Sequence, residues 1–373
     1  MEMKYNKIGL LTFQSSNNYG ALLQCYALST TLEELGFNVQ IFNLKKEHIK
    51  DIEDLPFLPR NKRVLKKNVN NAIFESAFSD FRKKYLNNKF TTEIETKDML
   101  KDFSESFDAV VVGSDQVWRG AYTKKLQSSF FFDFISDKTR KISYAASFGL
   151  DYFEGYKNNE AEINTLINKF DAISVREAEG VKICKETFNV EAIHVLDPVF
   201  LLSKERYQKI IDPEFKKNTN KYVAYYFLNP DSYRKSILTS IKEKFSIDED
   251  INIYTNDKFS FRSPSFNLSK YKFKSFSTWL GELKNADFVV TDSFHGLAFS
   301  IIFNKQFVCI ANSKRGASRM KSLLNLFKLN HRLINEGEQI NFDTLTPIDY
   351  IEVNKTINNQ KQKSIDFLQK SIL

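Results

Sequence analysis

His295 is the residue in this chain best placed to move a proton. It lies in Thr291-Asp292-Ser293-Phe294-His295-Gly296, directly after the apolar run Asp287-Phe288-Val289-Val290. An imidazole gains or loses a proton near neutral pH, which suits general acid–base work. β-forming residues followed by small polar residues, His and Gly mark a strand that ends and turns into a helix. In layered α/β proteins that edge is where ligands bind. The chain has four histidines, and the other three, His48, His194 and His331, have no reactive groups beside them in the sequence. The motif alone leaves two roles open for His295: capping and packing a helix start, or acting on a substrate.

Two further segments share this design of strand, short polar loop and helix or turn. In the first, residues 13–20, Asn17, Asn18 and Gly20 either shape a phosphate- or sugar-binding turn or make an ordinary Asn/Gly turn. In the second, residues 113–119, Asp115 and Gln116 stand beside Trp118. That grouping suits a sugar ring stacked on the indole with a hydroxyl held nearby. An Asp that caps the following turn is the equal alternative. Loops at strand ends also offer backbone N–H groups and helix N-termini, which suit anions.

Arginine grips carboxylate or phosphate through two parallel hydrogen bonds. Arg176 follows the strand-like Ala172-Ile173-Ser174-Val175, so its position repeats that of the other loops. Arg315 and Arg319 flank a small-residue stretch after the apolar run at 307–310. A lone surface arginine is more often solvated or ion-paired, so Arg176 carries the most weight of the three.

The elements that must position these residues alternate along the chain. Strands are expected at 7–13, 39–42, 108–113, 141–146, 172–175 and 193–196, with helices at 21–35, 159–170 and 177–188. The charged stretch at 61–100 has helical period. Asp197-Pro198 then breaks the pattern, and the domain junction is placed near 196–206. The second half repeats the alternation. Its strands are at 222–227, 251–254, 287–291 and 307–310, and its helices at 231–245, 276–285, 295–303 and 318–328. An amphipathic element covers 358–373. Two doubly wound α/β domains with a cleft between them follow. The division is 1–200, 201–345, and a C-terminal helix at 346–373 that packs back on the body.

Composition narrows the classes further. The chain has 373 residues, 42% of them hydrophobic and 14% aromatic, enough for two sizeable cores. Cys25, Cys184 and Cys309 are scattered among apolar neighbours, which fits inert thiols in a reducing cytoplasm. No signal-peptide core or spanning run is present, so a soluble cytoplasmic protein is expected. The net charge is +8, and residues 60–67 form a compact basic patch. Such a patch is more often a solvated helix face. The other option is peripheral contact with an anionic membrane surface or a lipid-linked phosphate. Nucleic acid is not expected as a partner, since no zinc-finger, helix-turn-helix or RNA-binding signature occurs. Dinucleotide, P-loop, zinc and hydrolase-elbow motifs are also absent, so no cofactor or metal is called for.

Six segments in order carry a family resemblance. They are Asn18-Tyr19-Gly20-Ala21-Leu22-Leu23-Gln24 with Tyr26-Ala27-Leu28, then residues 108–118, then Tyr144-Ala145-Ala146-Ser147-Phe148-Gly149. Ser174-Val175-Arg176-Glu177, Leu196-Asp197-Pro198 and residues 291–296 follow. Together they resemble the polysaccharide pyruvyl transferase family over about residues 7–335. The resemblance implies two Rossmann-like domains in a glycosyltransferase-B-like arrangement. It implies transfer of pyruvate from phosphoenolpyruvate, as co-substrate, to a pair of hydroxyls on a free or lipid-linked sugar acceptor. The product is a ketal of the kind found in exopolysaccharide and capsule. It places His295 and Asp115 as catalytic residues. It sets Arg176, Ser293, Gly296, Arg315 and Arg319 toward the donor, and Asn18, Gly20, Gln116 and Trp118 toward the acceptor. One position departs: many members have Arg two residues before the His, where this chain has Ser293. That departure keeps two alternatives in play, a nucleotide-sugar donor on the same fold and a non-catalytic carbohydrate-binding member.

Overall fold

The computed structural model describes residues 6–44, 76–254, 272–312 and 316–373. Its first half runs β1 (Lys7–Leu11), α1 (Tyr19–Glu34), β2 (Asn38–Leu44), α2 (Ser76–Tyr85), β3 (Phe90–Ile94), β4 (Ala109–Val112) and α3 (Gly120–Thr123). It continues with β5 (Arg140–Ala146), α4 (Glu160–Ile167), β6 (Ala172–Val175), α5 (Ala178–Phe188) and β7 (Ile193–His194). A 3₁₀ turn at Pro198–Phe200 leads into α6 (Lys204–Gln208). The second half runs β8 (Tyr222–Tyr226), α7 (Ser232–Phe245), β9 (Glu249–Asn252), α8 (Phe276–Asn285), β10 (Phe288–Thr291) and α9 (Phe294–Ile302). It ends with β11 (Gln306–Ile310), α10 (Ser318–Leu326), β12 (Leu333–Ile334) and α11 (Tyr350–Ile372).

The strands form two parallel sheets, ordered β3-β2-β1-β4-β5-β6-β7 and β12-β11-β10-β8-β9. Strand order reverses between β1 and β4 in the first sheet and between β8 and β10 in the second. A crevice opens at the carboxyl end of the strands at each such reversal. The residues after β1, β4, β8 and β10 therefore stand where α/β proteins hold ligands. Strands such as Ala109-Val110-Val111-Val112 are buried at every position, because helices cover both faces of a parallel sheet.

One hydrophobic core joins the two domains. Leu22 and Leu28 of α1, Val199 and Phe200 of the connecting turn, and Trp279 and Phe299 of the second domain belong to it. Tyr19 stacks on Trp279 with ring centroids 5.1 Å apart, and its hydroxyl donates to the Lys274 carbonyl at 2.7 Å. Helix α11 returns to the first domain: Leu196 N–H donates to Ser364 Oγ at 3.2 Å, and Leu368 and Ile372 are buried.

Several local expectations need correction. The charged stretch expected to be helical contains strand β3, the edge strand of the first sheet, where pairing with β2 outweighs local period. The short edge strand β12 was not expected, β9 starts two residues earlier than its apolar run, and α11 begins at Tyr350 rather than 358. The basic patch at 60–67 lies outside the described residues. Burial pushes the Cys25 and Cys184 thiols up to about 12 and that of Cys309 higher still, so none is poised as a thiolate. Among the described residues, no helix is long and apolar enough to cross a membrane.

Candidate active site

The turn from β10 into α9 aims His295. Ser293 is the N-cap of α9: its Oγ accepts from Gly296 N–H at 3.4 Å, and its own N–H donates to Thr291 Oγ1 at 3.0 Å. Gly296 permits this tight start, since a Cβ there would sit 2.3 Å from Thr291 Oγ1. Ser293 and Gly296, expected to touch the donor, thus build the helix end that presents His295. The imidazole crosses the domain interface and lies against α1, whose first turn is capped by Asn18 Oδ1 accepting from Ala21 N–H at 3.1 Å. A Cβ on Gly20 would come 1.9 Å from His295 Nδ1. Asn18 and Gly20, expected to touch the acceptor, therefore shape the seat of the histidine. A Gly20→Ala substitution is expected to displace the ring, to cost about 1–3 kcal/mol in denaturant unfolding, and to lower activity more than the stability loss explains.

On its other side His295 meets Asp197. The Nε2–Oδ2 distance is 3.7 Å, and the carboxylate is fully buried. The same Oδ2 accepts from Arg176 Nη1 at 2.9 Å and from Ser114 Oγ at 3.0 Å, while Oδ1 accepts from Val199 N–H at 3.0 Å. Burial by itself raises the Asp197 carboxyl. The His295 imidazole, the Arg176 guanidinium and the Val199 N–H outweigh it and hold the group well below the usual carboxylate range. Asp197 was read from sequence as a pattern break at the domain junction. Its place directly after the strand expected at 193–196 is a signal that could have marked it, although β7 ends at His194.

Arg176 is 4% exposed. Burial works against its charge, but Asp197, Asp115 and Glu177 outweigh the penalty and raise its pKa. Its Nη2 stands 3.9 Å from Asp115 Oδ1, and its Nε stands 3.9 Å from Glu177 Oε2. Among the described residues neither Nε nor Nη2 finds a hydrogen-bond partner, so one edge of the guanidinium fork is buried and unsatisfied. Buried donors of this kind are costly, and an oxyanion satisfies them best. The guanidinium carbon lies 4.4 Å from the centroid of Phe294. Arg319, on α10 of the second domain, comes to the same ring at 6.0 Å. Burial pushes the Arg319 guanidinium down to about 10, and the Arg176 charge adds to the shift. Gly316 lets the start of α10 come this close, since a Cβ there would sit 1.9 Å from the Gly149 carbonyl oxygen. The two domains thus deliver two guanidinium groups to one spot. Arg315 lies outside the described residues.

Asp115 sits at the end of β4 with φ +78°, a conformation that costs an L-residue strain and is found at functional sites. Its Oδ1 accepts from Gln116 N–H at 2.9 Å, and its side chain remains partly accessible. Gln116 Oε1 accepts from Arg119 Nη1 at 3.1 Å. Trp118 corrects an expectation. It has no exposed surface, stacks on Phe131 at 4.9 Å, and donates Nε1–H to the Phe130 carbonyl at 3.1 Å. No face of the indole is left for a sugar. An interdomain cleft of about 470 Å³ lies between Glu179 and His194 of the first domain and Lys321, Ser322 and Asn325 of the second; Arg176, Arg319, Asp115 and His295 are not among the residues that line it. His194 Nε2 lies 3.0 Å from the Arg176 carbonyl oxygen, and Ser322 follows Arg319 by one helical turn.

The crevice of the second sheet is occupied by protein. The Asp292 carboxylate accepts from Leu228 N–H at 2.5 Å, Asn229 N–H at 3.1 Å and Arg234 Nε at 2.8 Å. Asn312 Nδ2 stands 3.4 Å away. The backbone N–H groups at the end of β8 are therefore already filled by an internal anion.

The model of a family described as polysaccharide pyruvyl transferase matches residues 18–314. A search of curated proteins finds no match. Among solved structures, Arabidopsis thaliana UGT89C1 complexed with UDP-L-rhamnose is similar, with 11% identity and TM-score 0.53 over 100% of each chain. The UDP-GlcNAc 2-epimerase from Neisseria meningitidis bound to UDP-GlcNAc has 10% identity and TM-score 0.50, covering 98% of this chain and 100% of its own. Both likenesses concern the fold, two facing Rossmann-like domains in the glycosyltransferase-B arrangement.

Proposed function

This chain belongs to the polysaccharide pyruvyl transferase family, and from that premise we propose that it moves pyruvate from phosphoenolpyruvate to a pair of sugar hydroxyls as a ketal. The observation that carries the proposal is the meeting of Arg176 and Arg319 around Phe294, one from each domain, beside a histidine held by a buried carboxylate. Phosphoenolpyruvate carries a carboxylate and a phosphate, and two guanidinium groups match those two anions. Arg319 then serves where relatives place an arginine at the position of Ser293.

In the reaction, His295 gives a proton to the methylene carbon of the donor, which leaves an oxocarbenium-like centre on the neighbouring carbon. A sugar hydroxyl attacks that centre, and its proton returns to the imidazole. The second hydroxyl attacks the same carbon as the bond to phosphate breaks, and its proton leaves with the phosphate. Asp115, partly accessible and 3.9 Å from Arg176, is placed to orient the attacking hydroxyl. A sugar acceptor carried on lipid, with the protein at the cytoplasmic face of a membrane, belongs to the same proposal.

A nucleotide-sugar donor fits less well, because Asp292 fills the N–H groups at the second-sheet crevice where an anion would otherwise sit. The two readings separate in a thermal-shift series. Phosphoenolpyruvate at about 100 times its Kd is expected to add about 2.7 kcal/mol of stability, whereas uridine diphosphate sugars leave the melting temperature unchanged. Stabilisation by a nucleotide sugar and not by phosphoenolpyruvate overturns the proposal.

A further inference from the structure

We infer that Asp197 is the positioning residue of His295, holding the Nε2–H so that Nδ1 is the nitrogen that exchanges the proton with substrate. The inference rests on the reading of His295 as the acid, but its geometry stands alone. The ring has two nitrogens in opposite surroundings. Nε2 is buried, has no hydrogen-bond partner among the described residues and faces a fully buried carboxylate oxygen at 3.7 Å. The Nδ1 edge packs on the first turn of α1, in the space that the missing side chain of Gly20 leaves, and Nδ1, unlike Nε2, is not a buried nitrogen without a partner. A carboxylate accepts a hydrogen bond and cannot donate one, so it selects the tautomer with hydrogen on Nε2. Such contacts are often long without substrate and shorten when the site is filled. In the transfer the ring acts as the imidazolium: Nδ1–H gives its proton to the donor carbon and Nδ1 regains one from the first hydroxyl, while Nε2–H stays in place.

The same oxygen links the acid to the donor grip. Asp197 Oδ2 contacts both Arg176 Nη1 and His295 Nε2. The other charged groups around this set are Asp115, Glu177 and Arg319. An anion that engages Arg176 draws positive charge from Asp197, and the carboxylate then turns its charge toward the imidazole.

The test is nitrogen-15 NMR of the full chain with labelled histidine rings. Only four histidines are present, and a His295→Gln variant assigns the signal. In the wild-type protein without substrate, the neutral ring is expected to show the Nε2–H tautomer. In Asp197→Asn, with the remaining histidine signals and the melting profile kept, that tautomer is expected to fall at least threefold relative to Nδ1–H. An Nδ1–H tautomer in the wild-type protein overturns the inference, even if the variant does not fold. An unchanged tautomer in a folded Asp197→Asn overturns it as well. Because no substrate is used, failure here is separate from failure of pyruvyl transfer.

Discussion

His295→Gln is expected to lower pyruvyl transfer by about 100- to 10,000-fold, the usual contribution of a general acid or base. Gln keeps a polar side chain of similar reach but cannot lend a proton to a carbon centre. The ring it replaces fills the space against Gly20 and faces Asp197, so some loss of packing accompanies the change. The two effects separate by measurement. Phosphate release from phosphoenolpyruvate with acceptor present reads the chemistry. A thermal shift on adding phosphoenolpyruvate reads donor binding, which Arg176 and Arg319 still provide. Full phosphate release in the Gln variant removes His295 as the acid.

Arg176→Ala is the second large effect, and it acts on stability as well as binding. Removing one partner of a buried ion pair leaves the other charge uncompensated, at about 3–5 kcal/mol. Asp197 is fully buried and hydrogen-bonded to Arg176 at 2.9 Å, so it is the charge left behind. The pH dependence follows from the direction of its shift. The folded-state pKa of Asp197 is depressed, so its stabilising contribution is present above the unfolded value of about 3.9. It is lost as the pH falls through and below that value. The stability gap between wild type and variant is therefore expected to be wide at about pH 7 and to narrow below about pH 4. Urea unfolding at the two pH values checks this. An equal gap at both assigns the loss to packing on Phe294 instead. The variant should also lose the thermal shift with phosphoenolpyruvate, because the donor grip has gone.

Much of the architecture was readable because parallel strands covered on both faces are apolar at every position. The runs at 108–113 and 287–291 announce themselves for that reason. Strand β3 did not, since Phe90-Thr91-Thr92-Glu93-Ile94 lies near a sheet edge, has exposed positions and carries little periodic signal. Trp118 shows the matching failure in the site. An indole beside Asp and Gln in a loop has the local composition of a sugar platform. Whether its face meets solvent depends on Phe130 and Phe131, which pack over it from the chain that follows.

What the sequence determined by itself was local: which residues end strands, which cap helices, and where His295, Asp115 and Arg176 stand on their own segments. Those properties depend on neighbours in the chain, through periodicity, capping and turn chemistry. Three further facts depend on contacts between residues far apart in the chain, and only the tertiary structure decided them. Asp197, 98 positions before His295, becomes its partner. Arg319 joins Arg176 across the domain interface at Phe294. Gly20 serves the histidine by being absent from its path. Spacing along a chain carries no record of such distances, because they are set when the two sheets turn their carboxyl ends toward each other and close on a shared core.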